Sequence, residues 1–523
     1  MILIPMTVLR QGMVVVDEIC LIILGKKGLS MTEEYNGLNY IGGSWRNRAD
    51  DKLYPVIEDR DNSTDALIGY FPNSKSAVFT ATLVAREAFK KWRHLSRVKR
   101  AEYFDTLAQL MKREHEPLRD MISRETGKSL NESHAEVIEG LHMIQCTAAL
   151  GRQSNGITIG SELSTKDSYV MRKPKGVVGI ISPWNFPLAI GSTWCAGPAI
   201  VEGNCVVHKP SELTPATAQI MAELYHEAGF PKGVYNLVHG EGIVGSELVR
   251  SDVDVILFTG SAEVGQDIRR HCSNTWNKTC SCEMGSKSAV IVFEDGKLDL
   301  AVDAAVASAF KLSGQRCVSS GRILVERSIL DKFTEKFVEQ VKSRVSVGWP
   351  WDEPVPFYGP LISDKQASKV MVYNDLVKDD SDASVLIDYT AVDRYVSPFV
   401  YTCEWDDKPY LKEEVFGPHV AIVPFDDIDD AIRIYNDTEY GLALGVITED
   451  FRKMRQIRDE CDTGMLYLNG GSVAAESHLD FGGVKKSGNG HKTAIGTVEA
   501  VTNKIAVTTN YEDGISWAQG MVN

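Results

Sequence analysis

A cysteine that could act as a nucleophile lies in the stretch KLSGQRCVSSGR, between a helix-like and a strand-like segment. The residue is Cys317, and its neighbours, among them Gly314 and Ser319, are small. A thiol that attacks an electrophile must be accessible, and backbone N–H groups beside it can stabilise the resulting oxyanion. The stretch meets both needs, although a packed structural cysteine explains the spacing equally well.

Two polar residues could assist that nucleophile. Glu283, in CEMGSK, follows a strand-like segment and precedes Gly285, and a carboxylate in such a place can move and act as a general base. Asn185, in SPWNFP, lies between two prolines that stiffen its turn, so its carboxamide can donate a hydrogen bond to an oxyanion. Taken singly, a surface glutamate and a turn asparagine are the commoner explanations.

A second group of residues points to a nucleotide. Lys209 and Glu212, in HKPSE, follow a strand end and could hydrogen-bond ribose hydroxyls, although a solvated loop is equally compatible with them. Gly260 and Ser261, in FTGSAEVG, open a helix whose N-terminus could receive a pyrophosphate. Because this stretch is not a G-x-G-x-x-G pattern, it is a weak signal by itself.

The elements that must position these residues follow a simple pattern. Strand-like and helix-like segments alternate between residues 175 and 285, and the strands GVVGIIS, NCVVHKP and VDVILFTGS are rich in Val and Ile. Such alternation predicts a parallel sheet with helices on both faces, in which ligands bind at the carboxyl ends of the strands. Asn185, Lys209 and Ser261 all follow strands, so we expect them at one edge of the sheet.

The rest of the chain divides into three further regions. Residues 75–150 have helical periodicity, and a second strand–helix alternation begins near residue 286. The glycine-rich stretch GGVKKSGNG, residues 482–490, is predicted to be a loop. The tail VTNKIAVTTNY alternates polar and apolar residues and is predicted to pair with another strand edge, in this chain or in another subunit.

Composition excludes several classes of function. The 523-residue chain has a formal net charge of −15, which disfavours binding to nucleic acid or to an anionic membrane. Its ten cysteines are too few for a disulfide scaffold and show no repeated C-x-x-C pair, so no metal site is expected. No apolar run reaches the roughly 20 residues of a membrane helix and no secretory signal is recognisable, so a cytoplasmic location is expected. Residues 1–30 are interpreted as a non-essential extension.

Seven motifs, taken together, resemble the aldehyde dehydrogenase superfamily. PWNFP, KPSE, FTGS, CEMGSK, GQRC, EEVFGP and FGGVKKSGNG occur in this order between about Tyr40 and Tyr511. The resemblance implies an α/β fold with a Rossmann-type cofactor domain, an α/β catalytic domain and a small β oligomerisation element. A homo-oligomer, either a dimer or a tetramer, is expected for the same reason.

The resemblance also sets the expected domain limits. The cofactor domain would comprise residues 31–156 and 175–285. The catalytic domain would comprise residues 286–498, and the oligomerisation element residues 157–174 and 499–515.

The catalytic roles that the resemblance implies fall on the residues singled out first. Cys317 matches the attacking thiol, Asn185 and the Cys317 N–H match the oxyanion hole, and Glu283 matches the general base. The expected activity is NAD(P)-dependent oxidation of an aldehyde to the carboxylic acid, through a thiohemiacetal and a thioester on Cys317. Relatives that acylate coenzyme A typically lack the glutamate, so the presence of Glu283 favours hydrolysis of the thioester. A coenzyme-A-acylating semialdehyde dehydrogenase is the alternative, as is a non-catalytic family member.

NAD is the expected cofactor and NADP the alternative, because a carboxylate at Glu212 favours the free ribose diol and repels a 2′-phosphate. The positions that match the family's cofactor contacts are Ser182, Pro183, Trp184, Lys209, Ser211, Glu212, Gly242, Phe258, Thr259, Gly260, Ser261, Gly265, Glu414 and Phe416.

The small-molecule aldehyde is the least determined partner. The GQRC form resembles relatives that handle semialdehydes bearing a carboxylate or an amine, so a polar semialdehyde is predicted, with a simple aliphatic or aromatic aldehyde as the rival. The positions expected to line the substrate tunnel are Phe186, Ile190, Arg316, Val318, Ser477 and His478.

Three positions depart from the pattern of many relatives. Trp194 stands where they have a lysine and Lys492 where they have a glutamate, and those two residues have been linked to carrying protons away from the base. The route of proton exit is therefore unassigned in this chain. Ser286 replaces the usual glycine of EMGSK, which we expect to stiffen the loop around Glu283.

Overall fold

The computed structural model describes residues 13–15, 35–48, 51–58, 66–473 and 475–517. The strands of these segments are β1 (Met13–Val15), β2 (Tyr35–Asn36), β3 (Asn39–Ile41), β4 (Ser44–Arg48), β5 (Lys52–Glu58), β6 (Ala66–Asn73), β7 (Gly156–Ile159), β8 (Lys166–Pro174), β9 (Val177–Ile181), β10 (Cys205–Lys209), β11 (Tyr235–Leu237), β12 (Val255–Thr259), β13 (Thr279–Glu283), β14 (Ser288–Val292), β15 (Ser320–Glu326), β16 (Ser384–Ile387), β17 (Ala391–Val392), β18 (Tyr395–Val396), β19 (Phe399–Thr402), β20 (His419–Phe425), β21 (Tyr440–Gly441), β22 (Ala443–Ile447), β23 (Met465–Leu468), β24 (Val484–Lys485) and β25 (Thr502–Asn510).

The helices cover the sheets and connect their strands. They are α1 (Lys75–Trp92), α2 (Arg97–Arg113), α3 (His115–Thr126), α4 (Leu130–Leu150), a π-helix (Ala189–Cys195), α5 (Ala196–Val201), α6 (Pro215–Glu227), α7 (Gly242–Arg250), α8 (Ala262–Ser273), α9 (Leu298–Phe310), a 3-10 turn (Lys311–Gly314), a second 3-10 turn (Arg327–Ile329), α10 (Leu330–Arg344), α11 (Asp364–Lys378), α12 (Pro409–Lys412), α13 (Ile428–Asn436), α14 (Phe451–Glu460) and α15 (Ala494–Val501).

The first sheet has eight strands in the order β1-β4-β3-β11-β10-β9-β12-β13. Its strands from β11 to β13 are parallel, and β10, with every residue buried, is typical of a strand covered by helices on both faces. The alternation between residues 175 and 285 therefore predicted the observed sheet, and the carboxyl ends of β9, β10, β12 and β13 share one edge.

One helical segment of this region is not an α-helix over its whole length. The residues from Ala189 to Cys195 form a π-helix, and α5 begins only at Ala196. Every residue of the π-helix is buried, so the sequence has no polar face whose period could distinguish 3.6 residues per turn from the wider turn.

The second sheet has seven strands in the order β16-β19-β20-β15-β14-β22-β23. All of its pairings are parallel except that of β16 with β19. This sheet confirms the second strand–helix alternation, which begins near residue 286. The expected limits of the two domains stay predictions.

A third, small sheet consists of β7, β8 and β25, all antiparallel. The C-terminal tail pairs with β8 over nine residues, from Thr502 opposite Pro174 to Asn510 opposite Lys166. The predicted strand edge for the tail therefore belongs to this same chain.

The first 30 residues are described only in part. Met13–Val15 pair antiparallel with Arg46–Arg48 at the end of the first sheet, and the rest of the segment lies outside the described residues. That the segment is dispensable stays a prediction.

The described ranges contain neither a membrane-spanning helix nor a cluster of metal ligands. No helix there has both the length and the apolar character needed to cross a bilayer. In the same part of the chain, no group of three or more His, Cys, Asp or Glu side chains is arranged to hold a metal ion.

Candidate active site

The turn that follows β9 carries Asn185. Its side chain is buried, and its Nδ2 donates a hydrogen bond to the Gln315 carbonyl at 3.0 Å, two residues before Cys317. The turn is held by Glu136 of α4, whose Oε1 accepts the backbone N–H groups of Leu188 at 2.9 Å and Ala189 at 3.1 Å. Among the described residues Asn185 Nδ2 donates only the bond to Gln315, so its second N–H is available to a ligand.

The loop that carries Cys317 is tightly constrained. Leu312 and Ser313 have left-handed backbone angles, with φ of 55° and 53°, and Gly314 continues the bend with φ of 70°. A Cβ at Gly314 would lie 2.2 Å from the Gly417 carbonyl oxygen, so only glycine fits there. Such backbone strain persists only where the surroundings hold it. Here the Leu312 N–H donates to Glu132 of α4, which fixes the loop to the same helix that fixes the Asn185 turn.

Cys317 itself is partly exposed and anchored through its backbone carbonyl. That carbonyl accepts the hydroxyl of Ser286, and the next carbonyl, of Val318, accepts the hydroxyl of Ser472 at 2.6 Å. Burial of the thiol, together with the charges of Glu414 and Glu283, raises the pKa of Cys317 to about 12. The charge of Arg316 and the backbone N–H of Cys317 itself oppose this rise in pKa. This N–H is therefore close enough to the thiol to donate to the oxyanion that forms on the aldehyde oxygen when the sulfur attacks the adjacent carbon.

Glu283 is the last residue of β13. Its neighbour across the parallel pair is Thr259, and its carbonyl accepts the Gly260 N–H at 3.1 Å. The side chain is only 3% exposed, and neither carboxylate oxygen has a hydrogen-bond partner among the described residues. Burial therefore raises the pKa of Glu283 well above its usual range, partly offset by the charge of Lys492 and the nearby backbone of Gly483.

Glu414 lies on the other side of the same loop. Its Oε1 accepts the Ser286 N–H at 2.7 Å, and burial raises its pKa to about 7. A Cβ on Gly285 would lie 2.2 Å from Glu414 Oε2, so the glycine after the Glu283 strand is required for this close approach. The structure thus brings Asn185, Glu283, Glu414 and Cys317 to one place.

The Ser286 hydroxyl also contacts Ser288 at 2.9 Å, so this position is held by three groups. That serine at this position stiffens the loop around Glu283 stays a prediction, and these three contacts are the ones through which it would do so.

Most of the positions expected to contact a cofactor lie along the shared edge of the first sheet. Lys209 is buried, and its Nζ donates to the Gly240 carbonyl at 2.6 Å and lies 3.6 Å from the Glu212 carboxylate. Glu212 is partly exposed, with 42% of its side chain accessible, so a ligand can reach its oxygens. The Ser182 hydroxyl bonds to the His208 ring at 2.8 Å, and the Ser211 hydroxyl accepts the Leu213 N–H at 3.2 Å.

The N-terminus of α8 fits a phosphate group. Ser261 caps this twelve-residue helix and is exposed, and its neighbours Thr259 and Gly260 keep part of their surface open. A Cβ on Gly260 would lie 2.5 Å from the Phe258 ring, and one on Gly265 would lie 2.3 Å from the Met284 sulfur. Only glycines therefore allow these segments to approach so closely. The Val264 N–H donates to the Ser261 hydroxyl, and the N–H groups of Ala262 and Glu263, which open the helix, are placed to receive an anion.

Two further features belong to the same region. A Cβ on Gly242, the first residue of α7, would have no other atom within 4 Å, so a ligand has room there. A cleft of about 980 Å³ begins beside Ser261 and reaches Glu414. Near Glu414 the Trp184 and Phe416 rings meet edge to face at 5.5 Å, and Pro183 beside them is partly exposed.

The residues expected in the substrate tunnel separate into two groups. The Phe186 ring is flanked by two cations, with Lys128 Nζ 4.0 Å and the Arg316 guanidinium 5.3 Å from its centre. Ile190 and Val318 are buried in the main core.

The other two tunnel positions lie on the segment before the glycine-rich loop. The Ser477 hydroxyl donates to the Glu139 carbonyl at 3.3 Å. The His478 side chain is 65% exposed and lies 3.2 Å from Glu476. That these residues line a tunnel stays a prediction.

Sequence reasoning missed the charged residues beneath the site. Glu132 and Glu136 are four apart on α4, and Glu136 pairs with the fully buried Lys128. An acidic pair at this spacing is typical of a solvent-exposed helix face, so the sequence held no signal of burial. Cys195, at the end of the π-helix, was also missed, and it lies within electrostatic range of Glu283 and Lys492.

Comparison with known proteins gave consistent results. The profile of the aldehyde dehydrogenase family matches residues 45–507. An α-ketoglutaric semialdehyde dehydrogenase of Bacillus subtilis (strain 168) is 34% identical over 467 residues, which cover 87% of this chain and 94% of that protein.

Two solved structures of betaine aldehyde dehydrogenase from Staphylococcus aureus, both in complex with NAD+, are similar to this chain throughout. One has a TM-score of 0.85 and 30% identity, covering 93% of this chain and 97% of that one. The other, a point mutant, has a TM-score of 0.86 and 30% identity, covering 91% and 98%.

The raised pKa of the Cys317 thiol should be visible in the pH dependence of its alkylation. Since the pKa is about 12, the unliganded protein should carry about one thiolate in 10⁵ at pH 7, and its fraction should rise about tenfold per pH unit up to pH 10. We expect the rate of Cys317 alkylation by iodoacetamide, followed by peptide mass spectrometry, to rise in the same way. The free peptide KLSGQRCVSSGR, whose thiol is solvated, serves as the control and should level off near pH 9. A plateau below pH 9 in the folded protein would contradict the assignment.

Proposed function

The chain belongs to the aldehyde dehydrogenase family, and from this premise we propose that it oxidises an aldehyde to the carboxylic acid with NAD+, through a thioester on Cys317 that water hydrolyses. The observation that carries the proposal is the convergence of the Cys317 thiol, the Asn185 carboxamide and the buried Glu283 carboxylate, which has no hydrogen-bond partner in the part of the chain that the structure describes. A non-catalytic family member would have no need to keep a buried carboxylate without hydrogen bonds, since such a group is costly.

The first step is attack of the Cys317 thiolate on the aldehyde carbon, which forms a C–S bond and moves the carbonyl electron pair onto oxygen. Two donors can stabilise this oxyanion, namely the free N–H of Asn185 and the backbone N–H of Cys317. Removal of one such donor typically lowers the rate by about 10²–10³-fold.

The chain's own residues fit NAD+ at the edge of the first sheet. Ser261 and the α8 N–H groups would hold the pyrophosphate, Lys209 and Glu212 the adenosine ribose, and Glu414 the other ribose. When bound, NAD+ accepts the hydride that leaves the substrate carbon.

The last step is hydrolysis of the Cys317 thioester. Glu283 takes a proton from water, the water oxygen bonds to the acyl carbon, and the C–S bond breaks to return the thiolate. Gly488 lies opposite, and a Cβ there would lie 3.1 Å from Glu283 Oε2, so the glycine-rich loop leaves room for the carboxylate to turn. The presence of this base supports hydrolysis over transfer of the acyl group to coenzyme A.

A semialdehyde that carries a carboxylate is the substrate class that the site supports best. Lys128 is engaged by Glu136, but Arg316 lies 3.9 Å from Glu132, and its buried Nε has no hydrogen-bond partner among the described residues. Arg316 therefore keeps donor capacity for a carboxylate beside the nucleophile. The semialdehyde named for the Bacillus subtilis relative is consistent with this class.

A homo-oligomer formed through the small sheet is part of the proposal. Ile157 and Ile159 of β7 are 64% and 47% exposed, and β7 is an unpaired edge of the described three-stranded sheet. An exposed apolar edge of this kind is suited to pairing with a second copy of the chain. Sedimentation analysis gives the number of subunits.

The hydrolytic role of Glu283 can be isolated. In Glu283→Gln we expect about one NADH per active site, followed by a steady-state rate about 10²–10⁴-fold lower, because the acyl-enzyme accumulates. Stopped-flow NADH formation and intact-protein mass spectrometry measure both quantities. Cys317→Ala should give neither NADH nor adduct, whereas Cys146→Ala, which removes another partly buried thiol, should behave like wild type. Coenzyme A thioester as the product of the wild-type enzyme would refute hydrolysis.

Cofactor choice should depend on the Glu212 carboxylate. We expect Glu212→Gln to raise kcat/KM with NADP relative to NAD by about 10–100-fold, because the charge that repels a 2′-phosphate is gone. The exposed Glu227, which pairs with Arg113 away from this ribose site, provides the control Glu227→Gln. Equal efficiency of the wild-type enzyme with both cofactors would show that Glu212 does not discriminate.

Recognition of the substrate carboxylate should depend on Arg316. We expect Arg316→Gln to lower kcat/KM for α-ketoglutaric semialdehyde by about 10–100-fold more than for hexanal, because only the former has a charge to bind. The comparison removes the effect of Arg316 on the Cys317 thiol, which both substrates share. Arg316→Lys, which keeps the charge, should lose less. An equal loss for the two aldehydes would sink the carboxylate assignment.

A further inference from the structure

Lys492 is a buried cation that forms no ion pair with another described residue. The residue is fully buried, and its backbone N–H donates to the Phe481 carbonyl at 2.8 Å. Its Nζ donates to the Phe258 carbonyl and lies 3.3 Å from the Thr259 hydroxyl. None of the ion pairs of the described residues includes Lys492. A buried ammonium in that position is costly unless an anion compensates for it.

The strand register places this ammonium beside Glu283. Thr259, which contacts Lys492, is the direct neighbour of Glu283 across the β12–β13 pair. Glu283 is itself buried, and its carboxylate has no hydrogen-bond partner among the described residues. A buried cation whose hydrogen bonds go only to neutral groups, and a buried carboxylate without a hydrogen-bond partner among the described residues, therefore lie at the same strand ends.

The other titratable groups around the pair are neutral thiols and one further carboxylate. Cys195 comes from the π-helix, Cys282 from β13 and Cys317 from the nucleophile loop, and the pKa of each thiol is raised. Burial is the main cause for Cys195 and Cys317, whereas for Cys282 contact with Cys280 comes first and burial second. Glu414 acts on Cys317 from the far side of the loop. Glu283 is thus the anion that Lys492 can compensate most directly.

We propose that Lys492 is a positioning residue for the hydrolytic step, the counter-ion that keeps Glu283 ionised and so able to take a proton from water. The inference rests on the proposed function and adds a residue to it. When Glu283 takes the proton, the O–H bond of water breaks and the new C–O bond forms at the thioester carbon. The charge that Lys492 compensated then passes to the oxyanion of the tetrahedral intermediate and finally to the Cys317 sulfur.

Two opposing effects set the pKa of the Glu283 carboxyl. Burial raises the pKa of Glu283, and the Lys492 charge lowers it. Loss of the Lys492 charge therefore raises the pKa further, so Glu283 becomes protonated at neutral pH and regains its base form only at higher pH.

The test compares Lys492→Met with Lys492→Arg and with a matched control. The control is Lys175→Met, because Lys175 Nζ likewise donates to a threonine hydroxyl, that of Thr279 at 3.0 Å, and to a carbonyl, that of Ala500 at 2.7 Å. Thr279 is at the opposite end of β13 from Glu283, so this change removes similar bonds without touching the base.

We expect Lys492→Met to keep the first NADH of each active site and to shift the apparent pKa of thioester hydrolysis upward by about one unit or more. At pH 7 hydrolysis should be at least about tenfold slower, and it should recover at high pH. Lys492→Arg and Lys175→Met should keep the wild-type pH profile. A uniform loss in Lys492→Met with an unshifted pKa, accompanied by a lower Tm, would show that Lys492 is only a structural support.

A readout without turnover separates this inference from the proposed function. In wild type minus Glu283→Gln infrared difference spectra at pH 7, the Glu283 band should be that of a carboxylate. In the Lys492→Met background, and in Lys492→Gln if the first variant does not fold, it should be that of a carboxylic acid. An unchanged band would overturn the role of Lys492 even if the enzyme is active. Absence of NADH formation in wild type, with the band shifted as expected, would instead overturn the proposed function alone.

Discussion

Two buried carboxylates on one helix hold the whole site together. Glu136 of α4 accepts the N–H groups of Leu188 and Ala189, and Glu132, one turn earlier, accepts the N–H of Leu312. The oxyanion turn follows a strand of the first sheet and the nucleophile loop leads into the second, so α4 strengthens a connection that the Asn185–Gln315 hydrogen bond makes directly. Because hydrogen bonds to ionised acceptors are among the strongest in proteins, α4 fixes the distance between the two groups that must act together. Lys128, itself buried, supplies the compensating charge for Glu136.

The same burial that makes these bonds strong also controls the chemistry. Withdrawal from water raises the pKa of Cys317, Glu283 and Glu414, and so disfavours the charged form of each group, while the charge of Lys492 opposes this effect at Glu283. A reaction that forms an oxyanion and then a thiolate therefore depends on a few fixed donors and cations rather than on solvent. Arg316 beside the nucleophile and Lys492 beside the base are the cations placed to serve the two halves of that reaction.

Glycines are also required at the site, because several chain segments approach each other there too closely to leave room for a Cβ atom. Gly285 makes room for Glu414, Gly314 for the Gly417 carbonyl and Gly488 for Glu283. Each of these glycines lies in one of the motifs on which the family resemblance rests, so part of each motif is required by the lack of space for a side chain. Phe416, with φ of 60°, shows that the EEVFGP stretch also contains backbone strain at the point where its ring meets Trp184.

The sequence by itself determined the alternation of strands and helices, the edge where the motifs gather and the family, since apolar periodicity and ordered local motifs are properties of neighbouring residues. It identified Cys317, Asn185 and Glu283 as candidates and marked Lys492 as unusual. Only the tertiary structure decided which charges are buried. Glu132 and Glu136 have the spacing of a solvated helix face, and nothing local indicates that α4 lies beneath two loops. Likewise Lys492 and Thr259 are 233 residues apart in the chain, so their contact with the strand pair of Glu283 exists only after the chain has folded.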